Sequence, residues 1–336
     1  MIEGHGDDIF RYPGIRTNFS SNINPSGVSM QLREHLIQCI DKIGSYPHPL
    51  AEGLVDLIER KEALSHGCVL VTNGAVEAFY LIAELFTGKK SLIFSPSFSE
   101  YGDACTKFRH NIEYCHHNEA AGCNYSEKDL VWLCNPNNPD GAVYNADVLL
   151  ENIRNNPQTV FVADEAYIDF TTATISLQQH IREFSNLIVV KSLTKRFAIP
   201  GLRLGYLIAD GKIIEALKGK VIPWRINALA IEAGMFCMEG VTEDVFNINQ
   251  YLQESKRVQI AINELDGYTV VPSETIFFLV EGPVKAAALK DHLALKQKIL
   301  IRDASNFRGL NDRFFRVSVR SGRENNHLIN ALEQWS

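Results

Sequence analysis

Between residues 67 and 209, short runs of apolar or β-branched residues alternate with longer stretches in which apolar positions recur every three to four residues. The runs lie at 68–72, 91–95, 111–115, 130–134, 160–163, 187–191 and 204–209. Several are apolar on successive positions, which marks strands covered on both faces. Strands separated by helices of this length predict an α/β unit with a mostly parallel central sheet and crossover helices. From about 242 the pattern changes to a long charged helix reaching 266, strands near 268–271 and 275–281, and a helix over 284–295. Strands near 299–302 and 314–319 and a last helix from 323 complete a smaller α+β unit. The expected division is a large domain over 45–235 and a small one built from 1–44 and 236–336.

At 336 residues the chain can bury two real cores. Its formal net charge of -7 argues against a general nucleic-acid or membrane-surface binder, so the expected partners are small molecules. The opening residues have no basic stretch leading into an apolar run, and no segment approaches membrane-spanning length, which predicts a cytoplasmic protein. Seven cysteines form no Cys-x-x-Cys pair. They read as reduced packing residues, and no metal site is expected.

In such sheets function collects beyond the C-terminal ends of the strands, and three motifs fall there. In Lys191-Ser192-Leu193-Thr194-Lys195-Arg196, one lysine sits in a hydroxyl-flanked turn, and Arg203 follows after Pro200-Gly201. A desolvated lysine can attack an aldehyde, while hydroxyls and a guanidinium can hold a phosphate. That combination fits pyridoxal phosphate (PLP). Asp164 ends an apolar strand, where a carboxylate needs a cationic partner such as a protonated pyridine nitrogen, and Tyr167 lies three residues on. Taken alone, Asp-x-x-Tyr would equally be a capping aspartate with a packing tyrosine. Asn138, in Asn135-Pro136-Asn137-Asn138-Pro139, can present an amide from a rigid loop.

Gly74 and Ala75 join a strand to a helix and let main-chain N–H groups approach a phosphate, and Phe98 can stack on a ring. Arg302 and Arg316 occupy apolar strand surroundings, where a guanidinium is costly unless it binds an anion or a neighbouring carboxylate such as Asp303 or Asp312. Arg308 and Arg320 are possible companions. A dinucleotide-binding reading fails because no Gly-x-Gly-x-x-Gly follows the first sheet strand, and a PLP-dependent regulator would need a DNA-binding extension.

Asn138, Asp164, Tyr167, Ser192, Lys195 and Arg203, in this order and context, resemble fold-type I PLP enzymes, and more narrowly the histidinol-phosphate aminotransferase-like subgroup. The resemblance runs through nearly the whole chain. It implies Lys195 as the Schiff-base lysine and proton shuttle, Asp164 as partner of the pyridine nitrogen, and Asn138 and Tyr167 as contacts of the ring oxygen. It further implies a phosphate held by Gly74, Ala75, Ser192, Thr194 and Arg203, with Tyr46 reaching the phosphate of a neighbouring subunit in a homodimer with shared sites.

Within the subgroup, five segments are most similar to the L-threonine O-3-phosphate decarboxylases of cobalamin biosynthesis: Gly4-His5-Gly6, 18–25, 198–206, Pro223-Trp224 with 227–230, and 302–310. That likeness implies His5, Gly6, Asn22, Asn138, Arg302 and Arg316 as substrate contacts, and release of CO2 to leave (R)-1-amino-2-propanol O-2-phosphate. The alternative is an aminotransferase acting on histidinol phosphate or a related amino acid with 2-oxoglutarate. The usual His-Gly-Gly of these decarboxylases reads His5-Gly6-Asp7 here, whereas Val76 replaces an acidic residue usual in the aminotransferases.

Overall fold

The computed structural model describes residues 6–240 and 246–335. A short strand, β1 (Thr17–Asn18), precedes helices α1 (Met30–Gln38) and α2 (Glu52–Lys61). Seven strands then build the main sheet: β2 (Val69–Thr72), β3 (Lys90–Ser95), β4 (Asn111–His116), β5 (Leu130–Cys134), β6 (Val160–Asp164), β7 (Leu187–Ser192) and β8 (Gly205–Ala209). Their order is β2-β8-β7-β6-β5-β3-β4; β3 to β7 are parallel, and β8 runs antiparallel between β2 and β7. The intervening helices are α3 (Gly74–Leu85), α4 (Glu100–Lys107), α5 (Ala146–Asn155), the single turn α6 (Leu193–Arg196), α7 (Gly211–Lys218) and α8 (Ala228–Glu239).

Burial follows the apolar runs. Every residue of β2, β5, β7 and β8 is buried, whereas β4, at the edge, is mostly exposed. Successive side chains alternate between two cores because the strand period is two. Ile93, Trp132, Val162 and Ile188 enter one core; Leu92, Val131, Phe161 and Val189 enter the other.

The second sheet forms from β9 (Thr269–Val270), β10 (Phe277–Glu281), β12 (Arg302–Asp303) and β13 (Phe314–Ser318), all antiparallel, in the order β12-β13-β10-β9. Helices α9 (Ile248–Asn263), α10 (Ala286–His292) and α11 (Gly322–Glu333) accompany it. The single strand expected at 299–302 is split. Ile299–Leu300 forms β11 and pairs with β1 in parallel, whereas Arg302–Asp303 pairs with β13. A switch of partner at Ile301 explains the break, and it is how the N-terminal segment is tied to this sheet. Ser318 N–H donates to the Phe19 carbonyl at 2.9 Å on its other side.

The two sheets share a core. Phe277, Phe315 and Leu328 belong to the same buried cluster as Trp132 and Tyr167. Trp132 is 1% exposed and stacks on Tyr101, with ring centroids 5.9 Å apart. Replacing it with alanine leaves a void behind the strand ends, so Trp132→Ala should cost about 3–5 kcal/mol, read as a lower midpoint in urea unfolding with an unchanged slope.

Candidate active site

The parallel strands β3, β5, β6 and β7 all point their C-terminal ends at one cavity of about 370 Å³. Asp164 ends β6, Asn138 follows β5, and Ser192 ends β7. Main-chain strands cannot continue into this edge, so side chains and loop amides supply its polarity. From the other side the segment Gly6–Asp7, residues 20–23, Arg302 of β12 and Arg316 of β13 close it.

Lys195 lines the cavity on the one-turn helix α6. Burial pushes its ammonium down to about 8, reinforced by the nearby cations Arg203 and Arg316; Asp164 opposes them. Its Nζ sits 5.7 Å from the centre of the Tyr167 ring. Asp164 shows the converse: burial pushes its carboxyl up to about 6, against the Tyr101 hydroxyl and the Ala166 N–H, which donate to it at 2.5 and 2.9 Å. A protonated heterocyclic nitrogen beside it would restore its charge. The same burial raises the hydroxyls of Tyr167 and Tyr101, so both are O–H donors at neutral pH.

At one end two hydroxyls and a guanidinium converge on the start of α3. Ser192 Oγ and Thr194 Oγ1 are 2.8 Å apart, and Arg203 points its guanidinium at Gly74, the first residue of α3. Gly74 has φ +75°, and a Cβ there would sit 2.6 Å from an Arg203 nitrogen, so this position requires glycine. Arg203 itself is held in the left-handed region, at φ 57°, with Nη1 donating to the Pro200 carbonyl at 3.1 Å.

At the opposite end, Arg316 is 5% exposed. Its Nη1 donates to Asn138 Oδ1 and its Nη2 to the Ser20 carbonyl at 2.6 Å, while Nε has no partner. No carboxylate lies within ion-pair distance of it among the described residues, and burial pushes it down to about 10. Arg302 donates to the Asp303 carbonyl and, at 2.8 Å, to Asn306 Oδ1. The alternative salt bridges to the Asp303 and Asp312 carboxylates are not formed by either arginine: Asp312 pairs with Lys285 instead. Both polar atoms of the buried Asn22 amide lack a hydrogen bond. Unsatisfied polar atoms at a buried wall point to a polar ligand.

The cavity thus brings together Gly6, Asn22, Ala75, Phe98, Asn138, Asp164, Tyr167, Ser192, Thr194, Lys195, Arg203, Arg302 and Arg316, with Gly74 behind Arg203. His5 lies outside the described residues. Tyr46 is not brought in: it is 87% exposed and leans on Trp224, with ring centroids 5.5 Å apart. Arg308 lies over the Tyr114 ring at 3.9 Å, and Arg320 spends its donors on the carbonyls of Asn18, Ser21 and Val319. Neither lines the cavity. Tyr101, Phe79, Ser20 and Asp7 were not legible as site residues. Tyr101 reads in the sequence only as an aromatic one helical turn after Phe98, and its link to Asp164 exists only across the sheet.

The model of the family described as aminotransferase class I and II matches residues 17–333. The threonine-phosphate decarboxylase of Salmonella typhimurium is 30% identical over 95% of this chain and 91% of its own length. The histidinol-phosphate aminotransferase of a Thermoanaerobacter species is 32% identical over 90% of each. Among solved structures, L-threonine-O-3-phosphate decarboxylase from Porphyromonas gingivalis superposes with a TM-score of 0.93 at 37% identity, covering 95% of this chain and 99% of that one.

The depressed Lys195 amine sets a pH dependence. Its neutral fraction grows about tenfold per unit as pH rises toward 8 and then saturates. Capture of PLP by the cofactor-free protein, followed by its visible absorbance, should accelerate up to about pH 8 and level off above it. A rate still climbing at pH 10 would show an ordinary solvated lysine. Borohydride should trap the label on Lys195, and Lys195→Ala should abolish it.

Proposed function

Because the chain belongs to the class I and II aminotransferase family, whose enzymes are PLP-dependent, we propose that it decarboxylates L-threonine O-3-phosphate to (R)-1-amino-2-propanol O-2-phosphate and CO2. The observation carrying this reading is Arg316, a buried guanidinium with neutral partners only, beside Arg302 in a cavity whose other cationic end is Arg203. A doubly anionic substrate with phosphate and carboxylate fits a wall with two arginines beyond the one at the cofactor phosphate cradle.

PLP supplies the electron sink, which accepts the electrons of whichever α-carbon bond stands perpendicular to its ring. The described residues fit it: Asp164 would hold the pyridine nitrogen, Asn138 and Tyr167 the ring oxygen, and Ser192, Thr194, Gly74, Ala75 and Arg203 the phosphate. Lys195, its amine neutral often enough to react, would be the residue that holds the cofactor's aldehyde and could deliver a proton to the substrate's α-carbon. Arg302, Arg316, Asn22 and the Gly6 main chain orient the substrate so that its carboxylate, and not its α-hydrogen, takes the perpendicular position. Val76, in the cavity wall, adds no carboxylate to repel the substrate's anions. Bidentate guanidinium contacts give this orientation its rigidity.

The reading extends to a homodimer. Ile43, Tyr46 and Trp224 are exposed at 66%, 87% and 52%, and Ile43 and Tyr46 line a shallow groove with Leu229 that a second copy would cover. Tyr46 would then reach the partner's cofactor phosphate. No helix among the described residues is long and apolar enough to cross a membrane.

Lys195 serves transamination equally well, and the histidinol-phosphate aminotransferases are close relatives, so the deciding assay offers both substrates. With L-threonine O-3-phosphate, stoichiometric CO2 is expected; with histidinol phosphate and 2-oxoglutarate, no glutamate. Glutamate without CO2 would overturn the proposal. Arg316→Ala should lower kcat/KM by about two orders of magnitude while the cofactor absorbance stays intact, and Arg316→Lys should recover part of it. Loss of the cofactor in Arg316→Ala would assign the residue a structural role instead.

A further inference from the structure

Remote from the cavity, α1 and α8 bring three side chains of metal-ligating chemistry to one point. His35 lies in the last turn of α1, Cys39 caps that helix four residues later, and Glu232 lies in the second turn of α8. The i, i+4 spacing sets His35 and Cys39 on one helical face, and only the packing of α8 against that face adds the carboxylate. This is why no ligand set was legible in the cysteine spacing.

The distances are the informative feature. Cys39 Sγ is 3.7 Å from His35 Nε2 and 3.6 Å from Glu232 Oε2, and His35 Nε2 is 3.7 Å from Glu232 Oε2. The Cys39 thiol makes long sulfur hydrogen bonds with both partners, and the 3.7 Å nitrogen–oxygen edge is an ion-pair distance too long for a hydrogen bond, so a dication would take the thiol proton's place among the three ligand atoms. Zinc bonds of about 2.3 Å to sulfur and about 2.0 Å to nitrogen and oxygen, opened at tetrahedral angles, place sulfur about 3.5 Å from the other two ligands and those about 3.3 Å apart. The observed edges lie a few tenths of an ångström outside that triangle, and a small inward movement closes them.

Two neighbours fix the orientation of the ligands. Lys42 Nζ occupies the other carboxylate oxygen, Oε1, at 2.5 Å, which orients Glu232 and leaves Oε2 facing the sulfur and the imidazole. The His35 ring is fixed by stacking on Phe236, with centroids 4.6 Å apart. His35 and Glu232 side chains are 26% and 19% exposed, so the point is walled yet open to solvent for metal entry and for a water as fourth ligand. The comparable trio Asp56, Glu59 and His66 is unsuitable because Glu59 already accepts from the Gly67 and Cys68 N–H groups and meets His66 at 3.0 Å.

We infer that His35 Nε2, Cys39 Sγ and Glu232 Oε2 bind one zinc ion, or a similar borderline-soft divalent cation, which staples α1 to α8. Binding replaces the Cys39 S–H bond with a Zn–S bond and releases one proton to the buffer; no electron is transferred. The staple sits on a helix pair whose buried side chains, Leu32, Ala233 and Cys237, also pack on Ile199, within the turn between Lys195 and Arg203. A ligand that binds only the folded form raises its stability.

The test uses the PLP-loaded full chain, stripped of metal by a chelator and dialysed. Zinc titrated in competition with a chromophoric chelator should show one equivalent bound and a raised Tm. Cobalt(II) should give a thiolate-to-metal charge-transfer band. Cys39→Ser and His35→Gln should each weaken zinc binding at least tenfold and lose the Tm increase. A Cys115→Ser/Cys123→Ser variant should keep both, since that pair, with sulfurs 2.7 Å apart, lies outside the proposed site. Zinc binding unchanged in Cys39→Ser, lost in the Cys115/Cys123 variant, or absent from the parent protein would overturn the inference, as would a cobalt spectrum without the thiolate band. Should Cys39→Ser fail to fold by circular dichroism, His35→Gln decides.

Discussion

A parallel sheet delivers the ends of several strands to one edge, and there it must bury charge. Everything at the site follows from how that cost is met. Lys195 and Asp164 are both withdrawn from water, and burial drives each toward its neutral form, the lysine down to about 8 and the carboxyl up to about 6. Neither is neutralised by a direct ion pair among the described residues. A cofactor with an aldehyde at one end of its ring and a basic nitrogen in it would satisfy both at once.

The second sheet repeats the strategy with arginines. Arg316 and Arg302 pair in register across β13 and β12, so the sheet itself fixes the spacing of their guanidinium groups. Arg320 looks similar in sequence but does different work. It binds three main-chain carbonyls, two of them on the segment that carries Asn22, and so fastens that segment over the cavity. A buried guanidinium saturated by carbonyls positions; one with a donor left over can receive an anion. That distinction separates Arg320 from Arg316, and hydrogen-bond accounting alone makes it.

The shared hydrophobic core explains how the two halves hold their alignment. Tyr167, beside Lys195, packs against Phe277 of β10 with centroids 4.9 Å apart, and Phe277 in turn lies 5.9 Å from the Arg316 guanidinium. The lysine end and the arginine end of the cavity are therefore linked through two aromatic rings. Close packing makes such a link stiff, which a reaction decided by the angle of one bond requires.

The alternation of apolar runs and helical periods was sufficient for the main sheet, because strands buried on both faces write an unmistakable local pattern. The lysine turn, the aspartate and the asparagine loop were legible for a related reason: each lies directly after such a strand, where polar residues stand out. Local pattern could not reveal that residues 299–303 divide between two partners, since pairing is non-local. Nor could it show that Tyr101 hydrogen-bonds Asp164 or that Glu232 meets His35 and Cys39. The main sheet and the residues its strand ends present were readable from the chain, because those depend on neighbours along it. Which distant side chains share a desolvated space is a property of the folded molecule, because desolvation and pairing depend on distance in the fold.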